Sequence, residues 1–146
     1  MKKYFFIFLT FLIMIIIFKF SSEDAATSSM RSEKVVHLME KVLTENISKE
    51  TYSHLVRNFA HFILYFLLGI SLQFSFDDSS KTLGTQLKVL AIVFFYACSD
   101  EFHQSFVPGR SLEFKDLLID ITGGLASIII LAFFRKIFKT VSLEIT

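Results

Sequence analysis

"VLAIVFFYACSDEFHQSFVPGRS", residues 89–111, joins an apolar run to a polar cluster and then to a proline-glycine pair. The apolar part alone would form roughly 15 Å of helix, too short to cross a hydrocarbon core of about 30 Å. We therefore expect the helix to continue through the polar cluster to Val107, because Pro108 cannot extend the hydrogen-bond ladder. Pro108 and Gly109 predict a tight turn. The polar cluster consists of Asp100, Glu101, His103 and Gln104.

The composition of the whole chain indicates a small integral membrane protein. Of its 146 residues, 53% are hydrophobic and 19 are Phe, above the 45–50% apolar content usual for soluble domains. The length predicts a single domain over residues 1–146. A net charge of +1, without a basic stripe, argues against a nucleic-acid partner. The single Cys98 excludes an internal disulfide.

Four apolar stretches predict an all-α bundle of four membrane-spanning helices. They cover residues 4–20, 59–76, 89–107 and 117–134. The first follows two lysines and resembles a signal peptide, but no convincing cleavage site follows it, so we expect a retained span. Apolar residues at helical spacing also predict an amphipathic helix at about 33–50, outside the membrane-crossing part.

The distribution of basic residues predicts the orientation. Lys2 and Lys3 precede the first span, and Arg135, Lys136 and Lys139 follow the last. Four spans put both termini on one side, and basic flanks favour the cytoplasmic side. We therefore expect cytoplasmic N- and C-termini and a polar cluster near the outer face of a plasma membrane.

Spans two, three and four each carry a polar stripe near the outer end. Ionisable groups inside a membrane cost several kcal/mol unless they are paired or hydrated. We therefore expect the stripes to face one another in a single outward-open site between these three spans, with Gly123, Gly124 and Ala126 allowing close helix approach below it. The stripes are Asn58, His61, Tyr65 and Gly69; Asp100, His103 and Gln104 with Glu101 at the edge; and Asp116, Asp120, Gly123 and Ser127.

Three kinds of role are open for this cluster. Neighbouring carboxylates and a histidine could divide acid and base functions. Carboxylates and imidazoles also bind metals, but no HExxH motif or closed ligand spacing is present, so we predict neither a metal site nor another cofactor. A purely structural role is the third, in which Arg110 clamps Asp100, Glu101 or Asp116.

Two stretches, "RNFAHFILYFLLG" at 57–69 and "ACSDEFHQSFVPGRSLEFKDLLIDITGG" at 97–124, resemble the VanZ-like family. Members of that family typically carry AHF-x-x-Y-x-x-LG, DE-x-HQ-x-F-x-PGR and D-x-x-x-(D/N)-x-x-G motifs. All three motifs occur here in that order, and the resemblance covers roughly residues 57–127. At position 120 many relatives carry Asn, so the resemblance does not require a charge there.

The resemblance implies a bacterial multi-pass protein of the cell envelope, since the family is named for a protein linked to teicoplanin resistance. We predict an outward-facing site for an amphiphilic envelope ligand, either a lipid-linked precursor, a phospholipid or a lipoglycopeptide. Membrane lipids are the other expected partners. The predicted binding residues are Arg110, Gln104, Asp116, Asp120, Tyr65 and Asn58.

The rival hypothesis is a membrane-embedded enzyme that acts on a lipid-linked envelope substrate by acid-base or metal-assisted chemistry. Glu101 would be the general base, and His103 or His61 would be its partner. Asp100 is the remaining catalytic candidate.

Overall fold

The computed structural model describes residues 1–39, 48–76 and 83–144, and this described part forms five α-helices and no strand. Four of the helices are long and apolar enough to cross a membrane. The predicted all-α bundle of four spans and one further helix is therefore confirmed, and the chain is a multi-pass membrane protein. The helices are α1 (Lys2–Ser21), α2 (Ala25–Met39), α3 (Lys49–Ser75), α4 (Leu83–Gln104) and α5 (Phe114–Glu144).

The turn between α4 and α5 forms as the sequence predicts. The N–H of Arg110 donates to the carbonyl of Val107 at 3.1 Å, and Gly109 has a φ of 74°, which side chains with a Cβ rarely adopt. These are features of a type II turn with Pro108 and Gly109 at its centre. The helix α4 already ends at Gln104, three residues before the predicted boundary.

The helix α3 begins about ten residues before the predicted span, at Lys49. Ser48 is its N-cap, and the Ser48 hydroxyl accepts a hydrogen bond from the N–H of Thr51 at 3.2 Å. A serine cap satisfies one of the free N–H groups of the first helical turn. The additional turns hold Arg57 in a continuous helix with the apolar span.

The predicted amphipathic helix corresponds to α2, but it begins at Ala25 instead of near residue 33. The carboxylate of Asp24 accepts hydrogen bonds from the N–H of Thr27 at 2.7 Å and from the Thr27 hydroxyl at 3.1 Å. These hydrogen bonds lower the pKa of Asp24. Residues 40–47 of the predicted helix lie outside the described residues.

The side of α2 that packs on the bundle is small and mostly polar. Ser28, Ser32 and Val36 follow one another at four-residue intervals and are all buried, and α3 is the main neighbour of α2. Met30 and Leu38 are exposed on other sides of the helix. The helix α2 therefore lies against α3 as an additional wall at one end of the bundle.

The four spans alternate in direction, with α3 at the centre. The helix α3 packs most extensively on α5 and next on α1. Thr10, in the first half of α1, contacts Ser71 near the end of α3 at 3.0 Å, so these two helices are antiparallel. Arg135, late in α5, donates to Gln73 at 3.3 Å, while His61, early in α3, lies near Asp120 early in α5. The helices α3 and α5 therefore run in the same direction.

Two glycines of α5 are required by close helix contacts. A Cβ on Gly123 would lie 2.5 Å from the backbone carbonyl oxygen of Phe62, and one on Gly124 would lie 2.6 Å from Val93. The predicted close approach at this level is therefore confirmed, and it brings α5 against both α3 and α4.

The outer surface of the bundle is apolar and its interior is partly polar. Phe8, Phe95 and Phe133 are 66%, 70% and 61% exposed, an arrangement that suits lipid rather than water. A small apolar core fills the middle of the bundle. Its central members are Ile17, Tyr65, Leu68, Val89 and Val93.

Candidate functional site

The predicted polar residues lie at one end of the bundle, where α1 and α4 end and α3 and α5 begin. A narrow recess there is lined by groups from α3, α4, α5 and the α4–α5 turn. The structure therefore brings the three polar stripes to one level. The residues lining this recess are Arg57, Asn58, His61, Gln104, Arg110, Asp116 and Ile119.

Asp100 is the centre of a hydrogen-bond chain that joins three parts of the protein. Its Oδ2 accepts from the hydroxyl of Ser21 at 2.8 Å and from the side-chain amide of Gln104 at 3.3 Å. The carbonyl oxygen of that amide accepts from Arg110 Nη1 at 3.0 Å, and Arg110 Nη2 donates to the backbone of Phe20 at 3.4 Å. The chain thus joins α1, α4 and the turn.

This series of hydrogen bonds differs from the sequence-based expectations in two respects. Arg110 donates to an amide and a backbone carbonyl, so the clamp on Asp100, Glu101 or Asp116 that the structural alternative required does not form. The site also includes the end of α1, through Ser21, and so is not confined to spans two to four. A single serine in the last turn of an apolar helix carries no periodic signal, and sequence analysis therefore missed it.

His61 and Asp120 face each other across the α3–α5 interface. The Nδ1 of His61 lies 3.5 Å from Oδ1 of Asp120, longer than the usual range for a hydrogen bond. Asp120 is fully buried, and neither of its oxygens has a hydrogen-bond partner. One ligand atom each from His61, Asp100 and Asp120 lies within 4.8 Å of the other two.

Tyr65 extends this group one turn further into the bundle. The side chain is completely buried, and its hydroxyl has no hydrogen-bond partner. Its ring packs near that of Tyr96, with centroids 6.1 Å apart. The expectation that Tyr65 contributes to the site therefore fits its position, one helical turn from His61.

Glu101 faces the start of α5 and is only 2% exposed. Its Oε2 accepts a hydrogen bond from the N–H of Glu113 at 3.0 Å, and its Oε1 has no partner. Glu101 therefore holds the connection that leads into α5, although the sequence analysis placed it at the edge of the polar face.

His103, not Glu101, lies at the edge. Its ring stacks on Phe18 with centroids 4.5 Å apart, and its Nε2 lies 3.1 Å from the Ser22 hydroxyl. The described contacts of His103 and Glu101 therefore lead to different neighbours, α1 for His103 and the start of α5 for Glu101. The packing of α1 beside α4 determines this difference. The rotation of about 100° per residue in a helix does not predict it.

Two cavities open beside the narrow recess, one of about 170 Å³ and one of about 150 Å³. Both are lined by Arg57 and Arg110. At the wall of the larger cavity, Arg31 pairs with Glu23 at 2.6 Å, and Arg57 Nη2 donates to the Ser29 hydroxyl at 3.1 Å. Among the described residues, Arg57 and Arg110 thus form no ion pair with a carboxylate. Burial and the neighbouring Arg57 lower the pKa of Arg110.

The larger cavity also has apolar walls. Phe20, Val35, Val56 and Leu64 line it together with the two arginines and His61. The second cavity is more polar and lies between the start of α2, α3 and the α4–α5 turn. Its lining includes His54, Gln104, Ser111, Glu113 and Asp116.

Comparison with known proteins identifies the family. No curated protein and no solved structure matches the chain significantly. A family model described as VanZ/LLP1 matches residues 6–135, which contain the three quoted motifs, every predicted site residue and nearly all of α1. The match thus extends the resemblance seen at 57–127 in both directions. The chain belongs to the VanZ/LLP1 family.

Proposed function

We propose that this VanZ-like protein binds the anionic head group of an amphiphilic envelope ligand between Arg57 and Arg110. The observation that carries the proposal is that both guanidinium groups line both cavities without a carboxylate partner. The Nε atom of each is also buried and without a hydrogen-bond partner. A guanidinium fork matches the oxygens of a phosphate or carboxylate.

The apolar walls support an amphiphile rather than a free anion. Phe20, Val35, Val56 and Leu64 continue from the arginines along the larger cavity, which would accommodate the start of an acyl or prenyl chain. A lipid-linked precursor, a phospholipid and a lipoglycopeptide such as teicoplanin all combine such a chain with a polar head. Binding of a lipoglycopeptide, or of the molecule that the lipoglycopeptide targets, would explain the link to glycopeptide resistance that the family name implies.

The proposed orientation places this site in the outer leaflet of a bacterial plasma membrane. The basic residues at the start of α1 and late in α5 lie at the end opposite the cavities, which supports cytoplasmic termini. Membrane-impermeant thiol labelling of whole cells tests the orientation. We expect Ser105→Cys to react from outside and Leu83→Cys to react only after permeabilisation; the reverse pattern would contradict it.

A second candidate is an enzyme that acts on the same class of ligand. The buried His61–Asp120 pair favours this candidate, because neighbouring titratable groups in a buried site are suited to proton transfer. Glu101 and His103 are less suited as partners, since Glu101 bonds Glu113 and His103 bonds Ser22. Product formation from a radiolabelled lipid-linked substrate would distinguish the enzyme from a binding protein.

Binding of defined lipids to the full-length protein in nanodiscs tests the proposal. The probes are short-chain phosphatidic acid, a neutral diacylglycerol of the same chain length, and teicoplanin. We expect phosphatidic acid to bind more tightly than diacylglycerol, and Arg110→Gln or Arg57→Gln to weaken it at least tenfold, the effect of losing a charge-assisted bond of about 1.5–3 kcal/mol. Arg135→Gln, at the opposite end, is the matched control and should leave binding unchanged.

Two results would contradict the proposal. One is equal affinity for the charged and neutral lipids, and the other is full binding by the Arg57→Gln, Arg110→Gln double variant. Tighter binding of teicoplanin than of phosphatidic acid would support the lipoglycopeptide within the same ligand class.

A further inference from the structure

We propose that His61, Asp100 and Asp120 bind a divalent transition-metal ion of the zinc type. The three side chains come from α3, α4 and α5, and one ligand atom of each lies within 4.8 Å of the other two. The proposal departs from the sequence-based expectation of no metal, which rested on the absence of an HExxH motif and of a closed ligand spacing. It does not rest on the proposed binding of an anionic amphiphile.

The unpartnered oxygens of the two aspartates point to a ligand. Asp120 is completely buried and both its oxygens lack a hydrogen-bond partner, while Asp100 is 3% exposed and its Oδ1 lacks one. The His61 imidazole lies 3.5 Å from the Asp120 carboxylate, and a buried carboxylate without a hydrogen bond is strongly unfavourable. A bound cation would take one oxygen of each aspartate together with the imidazole nitrogen, and it would neutralise both buried carboxylates.

The distance between His61 and Asp120 also fits a metal better than a hydrogen bond. Their closest N and O atoms are 3.5 Å apart, beyond the usual range for an N–H···O bond. Two ligands bound to a tetrahedral zinc at about 2.0–2.2 Å are about 3.3–3.6 Å apart. The ion would therefore fit between these two atoms without a change in helix spacing.

The donor set indicates which ions would bind. One imidazole nitrogen and two carboxylate oxygens suit Zn²⁺, Mn²⁺ or Fe²⁺, whereas Mg²⁺ and Ca²⁺ prefer oxygen ligands alone. With a neutral imidazole the two carboxylates balance the charge of a divalent ion. Buried in a membrane bundle, a neutral assembly is far more favourable than an isolated pair of anions.

Neighbouring groups hold the ligands in place. Ser21 and Gln104 both donate to Oδ2 of Asp100, which leaves Oδ1 for the ion; such outer contacts typically orient metal ligands. Three protein ligands leave a fourth position open, as in catalytic zinc sites. His61 also lines the larger cavity, which provides a route to the site, and the hydroxyl of Tyr65 is free to bond a fourth ligand.

Metal analysis of the tag-free, full-length protein in detergent tests the proposal. The protein is stripped with a chelator, reloaded with ZnCl₂ or MnCl₂, desalted and measured by mass spectrometry for metal content. We expect about one ion per chain for the wild type and at least a tenfold loss of affinity for His61→Gln and for Asp120→Asn. His103→Gln removes a neighbouring imidazole outside the ligand set and should retain the ion.

A second measurement covers the case in which one variant does not fold. Zn²⁺ should raise the thermal unfolding temperature of the wild type and of His103→Gln, but not that of Asp100→Asn or Asp120→Asn. A wild-type protein that retains no ion after reloading would overturn the proposal. Equal metal content in the wild type and all three ligand variants would overturn it as well, since the ion would then bind elsewhere.

The proposed lipid site and the proposed metal site can be tested independently of each other. Arg110→Gln should lose phosphatidic acid binding but keep its metal ion, and Asp120→Asn should lose the ion whatever its affinity for the lipid. Loss of metal in Arg110→Gln would contradict the independence of the two sites.

Discussion

The two ends of the bundle both contain polar side chains, but these side chains are bonded differently. At the end where the chain starts, Thr10 contacts the hydroxyls of Ser71 and Ser75 at 3.0 and 3.2 Å. Gln73 donates to Ser127 at 3.4 Å and accepts from Arg135 at 3.3 Å. Among the described residues at this end, no buried side-chain polar atom lacks a hydrogen-bond partner.

At the opposite end, many buried polar atoms have no hydrogen-bond partner. All the unpartnered atoms found in the described residues lie there, on Ser53, Arg57, Tyr65, Asp100, Glu101, Arg110 and Asp120. Neutral hydroxyls and amides stabilise the association of membrane helices by modest amounts. Unpartnered atoms on buried ionisable groups make no such contribution. The difference therefore separates an end whose described contacts hold the helices together from the end where the proposed ligands would bind.

Gly123→Val should produce the largest effect, because both ends depend on the α3–α5 contact. The new side chain would collide with the backbone of Phe62, at a cost of about 3 kcal/mol. We expect a large loss of folded protein in membranes, measured by abundance and by thermal unfolding in detergent. Thr122→Val, at the neighbouring exposed position, is the control and should behave like the wild type.

Paired serine variants would sharpen the comparison between the ends. Ser21→Ala removes a hydrogen bond to the Asp100 carboxylate, worth about 1.5–3 kcal/mol, whereas Ser71→Ala removes one between neutral groups, worth about 1 kcal/mol. We expect Ser21→Ala to reduce zinc affinity about tenfold or more, and Ser71→Ala to reduce only thermal stability. If both variants changed only stability, the functional distinction between the two ends would be lost.

Glu101 should tolerate a change that removes its charge but not one that removes its oxygens. Glu101→Gln keeps an acceptor for the N–H of Glu113, while Glu101→Ala leaves that donor unsatisfied at a cost of about 1–3 kcal/mol. We expect Glu101→Gln to bind lipid with an affinity within about threefold of the wild type and to match its thermal stability. Glu101→Ala should unfold at a lower temperature. A complete loss of function in a stable Glu101→Gln would instead indicate a general base.

The smallest expected effect is on α2, which lies at the end of the bundle that holds the unpartnered atoms. The pKa of Asp24 is lower in the folded protein than in an unfolded chain. Its contribution to stability is therefore complete above the unfolded pKa and is lost as the pH falls through the folded pKa. The protection factor of the Thr27 N–H, which compares its exchange rate with that of an unfolded peptide at the same pH, should stay constant near neutral pH and fall below about pH 4. Asp24→Ala should remove this change. A protection factor that does not change in acid would show that the cap does not hold the helix.

The number of helices and the level of the site could be predicted because the membrane imposes both. A span needs about 20 apolar residues, and polar groups within a span must gather away from lipid. Helix ends were less predictable, since α3 extends through amphipathic turns that hydropathy does not detect. The turn at Pro108 and Gly109 was predictable because their backbone preferences are local.

Contacts between helices could not be predicted from the periodicity of one helix. Asp100 and Gln104 were placed correctly on the inner face, but Glu101 and His103 exchanged positions because α1 packs beside His103. The partners of Arg110 depend on how the turn sits against the end of α1. His61 and Asp120 were both candidates, yet only the packing of α3 on α5 revealed that they form a pair.

The end of α1 has a consequence for how the mature protein can be processed. Ser21 donates to Asp100, the Phe20 carbonyl accepts from Arg110, and the Met14 carbonyl accepts from the Tyr96 hydroxyl at 2.6 Å. Cleavage by signal peptidase after this helix would therefore strip one wall from the bundle and leave those groups facing acyl chains. In this structure a helix that resembles a secretion leader therefore packs as one wall of the bundle.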